Sequence, residues 1–419
     1  MTTTITPTPT PSKTQTAAIN AENKVCAHNY KPLPVVLERG KGAWLWDIDG
    51  NKYLDMMSAY SAVSHGHSHP RLLKAFTEQA AKLAICSRAF HTNTLGRFLD
   101  KICALSGLDM ALPMNTGAEA VETAIKAARR WGYQVKGIEA NKAEIITASE
   151  NFHGRTTTII SFSTDESTRK DFGPFTAGFK TVPFGDAKAL EAAITPNTCA
   201  FLVEPIQGEA GIIVPPAGWL KDVAAICKKH NVLLILDEIQ SGLGRTGKMF
   251  AFEHDGIKPD GLILGKALGG GMMPVSCFVA KKEVMTLFQP GSHGSTFGGN
   301  PLAAAVGYEA LVTLEDEKLV ERSAELGAYL KQQLEAIGSP IVKAVRGRGL
   351  WIGFEIDGSA ISGHDLCKKL MAKGILAKET HETTVRLAPP LMISKEEIDW
   401  ALDILRNTLA EVTAKSKAA

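Results

Sequence analysis

From about residue 70 onward the chain alternates short β-rich runs with helical patterns. The runs are Glu144–Ala148, Thr158–Phe162, Ala200–Glu204, Val232–Asp237, Gly261–Gly265 and Val275–Ala280, and amphipathic stretches such as Trp219–His230 lie between several of them. Strands separated by covering helices build a mainly parallel sheet in an α/β fold. Gly is abundant, at 38 residues against 20 Pro, which suits tight βα turns and close backbone approach to a ligand. The pattern changes near residue 315. A long charged amphipathic helix over Glu315–Ile337 precedes runs at Ile341–Arg346 and Leu350–Ile356, a helix near Gly363–Lys373, and a run at Thr384–Leu387. We therefore expect a disordered tail over 1–20, an N-terminal segment with a hairpin over 21–60, a large domain over 61–315 and a small α+β domain over 316–419. The hairpin is signalled by Asp47-Ile-Asp-Gly-Asn51 between two β-rich runs. No internal repeat is visible.

The charge balance removes several functions. Lys+Arg is 46 and Asp+Glu is 44, a net charge of +2, so nothing favours a nucleic acid or an anionic membrane as partner. No apolar run approaches the roughly 18 residues of a spanning helix. The seven cysteines are scattered without a C-x-x-C, which fits a reducing compartment and offers no disulfide framework. The first twenty residues hold eight Thr and three Pro, one Lys and no Arg. That is no secretory signal, and prolines at 7, 9 and 11 oppose an amphipathic presequence helix. The expected location is cytoplasmic, with a plastid-type transit peptide the weaker alternative for a Thr-rich, acid-free start.

Three stretches carry chemistry. Thr116 and Glu119 form a capping box that starts a helix, and Thr116-Gly117-Ala118 leave backbone N–H groups at its positive end; alone, a plain capped helix is the better reading. The apolar run Val232–Leu236 ends in Asp237-Glu238, at the strand end that lines the ligand crevice of a parallel sheet. There an acid can pair with a cationic ring nitrogen or a metal, or simply be solvated. Lys266 interrupts the apolar, glycine-rich Gly261–Gly271, where desolvation lowers an amine's pKa and yields a nucleophile. Two other patterns mislead. Gly242-Leu-Gly-Arg-Thr-Gly247-Lys248 matches phosphate-loop templates, but Met249 stands where a Ser or Thr is needed and no convincing helix follows. His65-Gly-His-Ser-His-Pro70 has no acidic or Cys partner nearby, so we expect no metal.

Taken together, Asn115-Thr-Gly-Ala-Glu-Ala120, Glu204-Pro-Ile-Gln-Gly-Glu209, Asp237-Glu-Ile-Gln240, Gly265-Lys266-Ala267 and Gly294-Ser-Thr-Phe-Gly-Gly-Asn300 resemble the class III aminotransferases, from about Ala27 to about Leu405. The resemblance implies the aspartate-aminotransferase fold (fold type I), with a mainly parallel seven-stranded sheet, and pyridoxal 5′-phosphate as cofactor. Lys266 would hold the cofactor as a Schiff base and shuttle a proton; Asp237 would keep the ring nitrogen protonated. The remaining cofactor-binding residues implied are Thr116, Gly117, Ala118, Phe152 as a stacking ring, His153, Glu204, Gln240 at the ring hydroxyl, and Ser295 and Thr296. The last two reach across to the other subunit of a homodimer with shared active sites. His153 stands where relatives carry Trp or His.

His28-Asn-Tyr-Lys-Pro-Leu-Pro-Val35, Ser58-Ala-Tyr-Ser-Ala-Val63 and His293-Gly-Ser-Thr-Phe297 resemble the ornithine-acting branch of the class. That implies transfer from L-ornithine to 2-oxoglutarate, giving glutamate 5-semialdehyde and L-glutamate. Tyr30 would contact the ornithine α-amino group, Tyr60 would wall the pocket, and Arg155 would bind the α-carboxylate of ornithine or the distal carboxylate of the oxo acid. Arg386 would bind the oxo-acid α-carboxylate, with Glu209 pairing to it in the ornithine half-reaction. N-acetylornithine and 4-aminobutyrate are the nearest alternative substrates; a nucleotide-binding role for Gly242–Lys248 is remote.

Overall fold

The structure, a computed structural model, describes residues 11–416. Its centre is a seven-stranded sheet in the order Met110–Met114, Ser276–Ala280, Gly261–Leu264, Leu233–Asp237, Thr198–Val203, Glu144–Ala148 and Phe179–Val182. Neighbours are parallel except at Ser276–Ala280, which runs antiparallel to both of its own. The central strands are buried along their whole length. Leu234 and Leu236 pack into one core with Trp219, Leu220 and Val223 of the helix Trp219–Lys229. Leu233 and Ile235 pack into another with Val121, Ala124 and Ile125 of the helix Gly117–Gln134. Alternate residues of one strand thus serve the two faces, which is why these strands read as unbroken apolar runs.

Four expectations need correction. Thr158–Phe162 is not a strand: Thr157–Ile160 is one helical turn, because Thr156 Oγ1 accepts from Ile159 N–H and caps it. Local capping outweighs the β-branched composition. The edge strands Met110–Met114 and Phe179–Val182 take its place in the sheet; Pro113 is tolerated because its strand lies at an edge. The helix expected over 315–337 is two helices, Pro301–Asp316 and Leu319–Glu335, broken at Lys318 with φ 53°. Of the expected tail, residues 1–10 lie outside the described residues, and Lys13–Val25 is a helix capped by Ser12. Gln15 anchors it by donating to Asp47 and Asp49 at 3.0 and 2.6 Å.

The expected hairpin is a three-stranded meander, Leu37–Lys41, Trp44–Asp47 and Lys52–Asp55. Asp47 Oδ1 accepts from the N–H groups of Asp49 and Asn51 and shapes the second turn. Its last strand pairs in parallel with Ile375–Leu376, so the N-terminal segment joins the C-terminal part of the chain. There an antiparallel sheet orders Val342–Gly347, Ile352–Ile356, Thr384–Leu387 and Lys378–Thr380, beside the helices Gly363–Met371 and Lys395–Ser416. Among the described residues no helix is long and apolar enough to cross a membrane.

Candidate active site

The carboxyl ends of the parallel strands converge on a cavity of about 190 Å³, lined by Gly117, Ala118, Phe152, His153, Gly154, Glu204, Ile206, Asp237, Ile239, Gln240, Ser241 and Lys266. Asp237, the last residue of its strand and 5% exposed, lies 2.7 Å from His153 Nδ1, while its other oxygen accepts from Ile239 N–H at 3.0 Å. His153 is buried and its Nε2 has no partner among the described residues. Burial opposes an imidazolium there, yet the bond and charge of Asp237 prevail and raise its pKa. The Asp237 carboxylate is therefore braced from the side by a donor, with its strand-end position facing the cavity.

Lys266 follows the strand Gly261–Leu264 on a backbone of φ 43°. Its Nζ donates to Gln240 Oε1 at 3.2 Å, and among the described residues no carboxylate lies within ion-pair distance. Burial lowers its pKa, against the pull of Glu209, Asp237 and Glu204. An amine held in this way is available as a nucleophile at a higher fraction than a surface lysine. Glu204 accepts from Phe152 N–H at 3.0 Å and from Gly208 N–H at 3.1 Å. Burial pushes its carboxyl up to about 7. It thus fixes the backbone that carries the Phe152 ring.

The helix Gly117–Gln134 reaches the cavity through its first two residues. The capping box read from the sequence is complete, with Thr116 Oγ1 accepting from Glu119 N–H and Glu119 from Thr116 N–H. Gly117 and Ala118 open the helix, so their N–H groups have no intrahelical acceptor. A Cβ on Gly117 would meet Ile239 Cδ1 at 2.8 Å, so the backbone comes close to that wall only because the residue is Gly.

A second group of residues gathers beside Lys266. Arg386, on the strand Thr384–Leu387 and 4% exposed, donates to Glu209 Oε1 at 2.6 Å. The Arg386 guanidinium carbon lies 4.8 Å from the centre of the Tyr60 ring. Tyr60 sits in a turn, Ser58–Ser61, whose four residues all have positive φ, from 47° to 71°. Such a run of non-glycine residues is strained and persists only where its surroundings enforce it.

Other expected residues lie further out. Arg155 is exposed, with its guanidinium 5.7 Å from the Phe152 ring centre. Tyr30 is 73% exposed and does not line the cavity; its neighbour Lys31 offers a carbonyl to Lys378 Nζ at 3.4 Å. Ser295 Oγ accepts from Asn115 Nδ2 at 2.8 Å, while Thr296 is exposed and outside the cavity of its own chain. The sequence reading missed several contributors, Gly154 and Ser241 of the cavity lining among them. Ile206 and Ile239 form apolar cavity walls, and Asn115 ties the Ser295 loop to the capped helix. Ile206, Ile239 and Asn115 lie inside stretches already singled out, and for the two isoleucines an apolar residue within a polar strand-end motif is the signal that was there to use. The histidines of residues 65–69 are dispersed: His65 bonds the Ala310 carbonyl, His67 pairs with Asp55 and His69 with Glu317. No group of three or more metal-ligating side chains occurs among the described residues.

This fold and this cavity are those of a lysine-centred fold type I enzyme, and a family model described as aminotransferase class-III matches residues 25–409. The chain belongs to the class III aminotransferases. It is 57% identical to a protein named ornithine aminotransferase from Bacillus subtilis, over 91% of this chain and 95% of that one. Among solved structures it is similar to the ornithine aminotransferase from Toxoplasma gondii, with TM-score 0.95 and 44% identity over 96% and 97% of the two chains. It is also similar to an acetylornithine aminotransferase from Elizabethkingia anophelis, with TM-score 0.86 and 47% identity over 96% and 100%. The chain is an aminotransferase whose cofactor is pyridoxal 5′-phosphate.

The residues present fit that cofactor. The cavity holds an anion, Asp237, for a cationic ring nitrogen and free N–H groups for a phosphate. The same lining adds the apolar Phe152 and Ile239 and a single amine, Lys266. When bound, the cofactor supplies an electron sink for the carbon–hydrogen bond broken in transamination.

Proposed function

We propose that the chain is an ornithine δ-aminotransferase, converting L-ornithine and 2-oxoglutarate to glutamate 5-semialdehyde and L-glutamate. One observation carries the reading: Glu209 closes on Arg386 at 2.6 Å beside Tyr60 and next to Lys266. With its charge answered, Arg386 does not draw a substrate carboxylate towards the amine. An ω-amino group therefore enters first, and the carboxylate at the far end of ornithine is left to the exposed Arg155. In the second half-reaction Glu209 withdraws and the Arg386 fork takes the α-carboxylate of 2-oxoglutarate. Lys266 anchors the cofactor and carries the proton; Asp237, braced by His153, serves the ring nitrogen. Gln240 serves the ring hydroxyl, Phe152 the ring face, with Glu204 beneath it. Thr116, Gly117 and Ala118 hold the phosphate.

Ser295 and Thr296 serve the phosphate of a second copy, which fits the exposure of Thr296 and of Phe297 at 57%. A homodimer with shared sites is therefore part of the same reading. Tyr60 favours a free amino acid over N-acetylornithine or 4-aminobutyrate, and Tyr30 joins it through resemblance alone. Seven free cysteines suit a cytoplasmic location. The test is the visible absorbance of the purified, cofactor-loaded protein on addition of each amine without an oxo acid. Bleaching by L-ornithine far faster than by N-acetylornithine or 4-aminobutyrate is expected, and Lys266→Ala should abolish turnover. Preferential bleaching by either other amine would overturn the substrate assignment.

A further inference from the structure

The motif Gly242-x-Gly-x-x-Gly247, set aside as a nucleotide loop, encloses Arg245, whose side chain is fully buried. Its hydrogen-bond acceptors are three oxygens from three distant parts of the chain, and none is a carboxylate. Nη1 donates to the carbonyls of Leu350 at 2.9 Å and Pro389 at 2.6 Å, and Nη2 to Ser64 Oγ at 2.9 Å. A buried cation whose donors meet neutral oxygens, with the Asp55 charge acting on it from beyond hydrogen-bond reach, is costly to hold, and the arrangement points to a role beyond stability.

Each acceptor leads to one side of the Tyr60–Arg386 contact. Ser64 Oγ donates onward to the carbonyl of Ser61 at 2.9 Å, the last residue of the strained turn that presents Tyr60. Ser58 and Ser61 hydroxyls find no partner among the described residues, so the turn's own side chains do not hold it. Pro389 follows Arg386 by three residues. Leu350 precedes the strand Ile352–Ile356, in which Gly353 pairs with Arg386. We infer that Arg245 is a positioning residue: one guanidinium braces the Tyr60 turn and the Arg386 strand against each other, and so sets the geometry of the substrate-carboxylate end of the pocket. The turn itself is fixed in place. Gly247 packs so close to the helix Leu319–Glu335 that a Cβ would meet Ala324 Cα at 2.8 Å, and Ser323 Oγ donates to the Arg245 carbonyl at 3.0 Å.

The inference rests on the reading of Arg386 as the oxo-acid site, and three variants separate the two. Ser64→Ala removes one link and leaves the fold; Arg245→Lys keeps the charge but not the fork; Arg386→Gln tests the site itself. In the cofactor-loaded enzyme, Ser64→Ala should raise KM for 2-oxoglutarate about tenfold, as expected for one lost hydrogen bond to a charged donor. KM for L-ornithine should rise clearly less, since in that half-reaction Glu209 occupies Arg386 and only the Tyr60 wall is loosened, so the ratio of the two KM values shifts while kcat stays within about threefold. Arg245→Lys should shift the same ratio further. A ratio unchanged in Ser64→Ala overturns the proposal, whether or not Arg245→Lys folds; so does a uniform fall in activity with thermal stability. If Arg386→Gln itself leaves 2-oxoglutarate binding intact, the functional reading fails instead.

Discussion

Replacing Glu209 by Ala tests how the site chooses between amine-first and carboxylate-first substrates. Glu209 and Arg386 are 2.6 Å apart, with side chains 28% and 5% exposed. At an effective dielectric of ~20 that separation gives an attraction of ~6 kcal/mol. Desolvation of Arg386 and water around Glu209 offset much of it, leaving ~2–3 kcal/mol for one hydrogen-bonded charged pair. An incoming carboxylate has to displace that contact in the wild type and meets a bare guanidinium in the variant. At ~1.4 kcal/mol per decade this is a ~30–150-fold gain for carboxylate-first substrates. The assay is single-turnover bleaching of the cofactor-loaded enzyme by L-glutamate and by L-ornithine. The ratio of their second-order rate constants should move towards glutamate by that factor. A general loss of stability from the unpaired Arg386 would slow both and leave the ratio alone. If the ratio in Glu209→Ala stays within threefold of wild type, the pair does not gate substrate orientation.

Two further changes probe the frame around the site. A Cβ on Gly327 would fall 2.0 Å from the carbonyl carbon of Gly349, backbone against backbone, so Gly327→Ala should lower stability by ~3 kcal/mol, read as a drop in the denaturant midpoint. His65 is buried with its pKa lowered to about 4, chiefly by burial. Its neutral form is favoured in the fold, so the unfolded chain binds the extra proton and stability falls as pH drops below about 6.5. His65→Gln, whose amide can still donate to the Ala310 carbonyl, should remove ~2 kcal/mol of the loss between pH 6.5 and 5. An unchanged difference in melting temperature between those pH values would refute this.

The parts of the molecule legible in the sequence are those where one short stretch obeys one rule. The buried strands announced themselves because both faces of the sheet are covered, and the helix at Thr116 because its cap is local. Edge strands such as Phe179–Val182, half-exposed and only four residues long, carry no such signal. The expected strand at Thr158–Phe162 fails because its composition counts for less than a cap two residues upstream, at Thr156. The pairing of the N-terminal meander with Ile375–Leu376 spans more than 300 residues, and no local pattern encodes it. Within the site, Lys266 and Asp237 stood out as a lone amine and a strand-end acid. The contacts that tune them are tertiary: His153 on Asp237, Glu204 on the Phe152 backbone, Arg386 on Tyr60.

Two glycine motifs show what separates a ligand loop from a structural one. Both Thr116-Gly117-Ala118 and Gly242–Gly247 place small residues where backbone comes close to something else. The deciding quantity is where their N–H groups go. In the second, Gly242 donates to the Glu238 carbonyl, Gly244 to Met249, Arg245 to Gly242 and Gly247 to Gly244, so the turn spends its donors on itself. In the first, the cap uses the N–H of Glu119 and leaves those of Gly117 and Ala118 facing the cavity wall, at the positive end of an 18-residue helix. A sequence template records glycine spacing and is blind to this difference. Hydrogen-bond accounting distinguishes the two at once: the first motif keeps donors open to an anion, as the proposed function requires, and the second closes its own on the chain around Arg245.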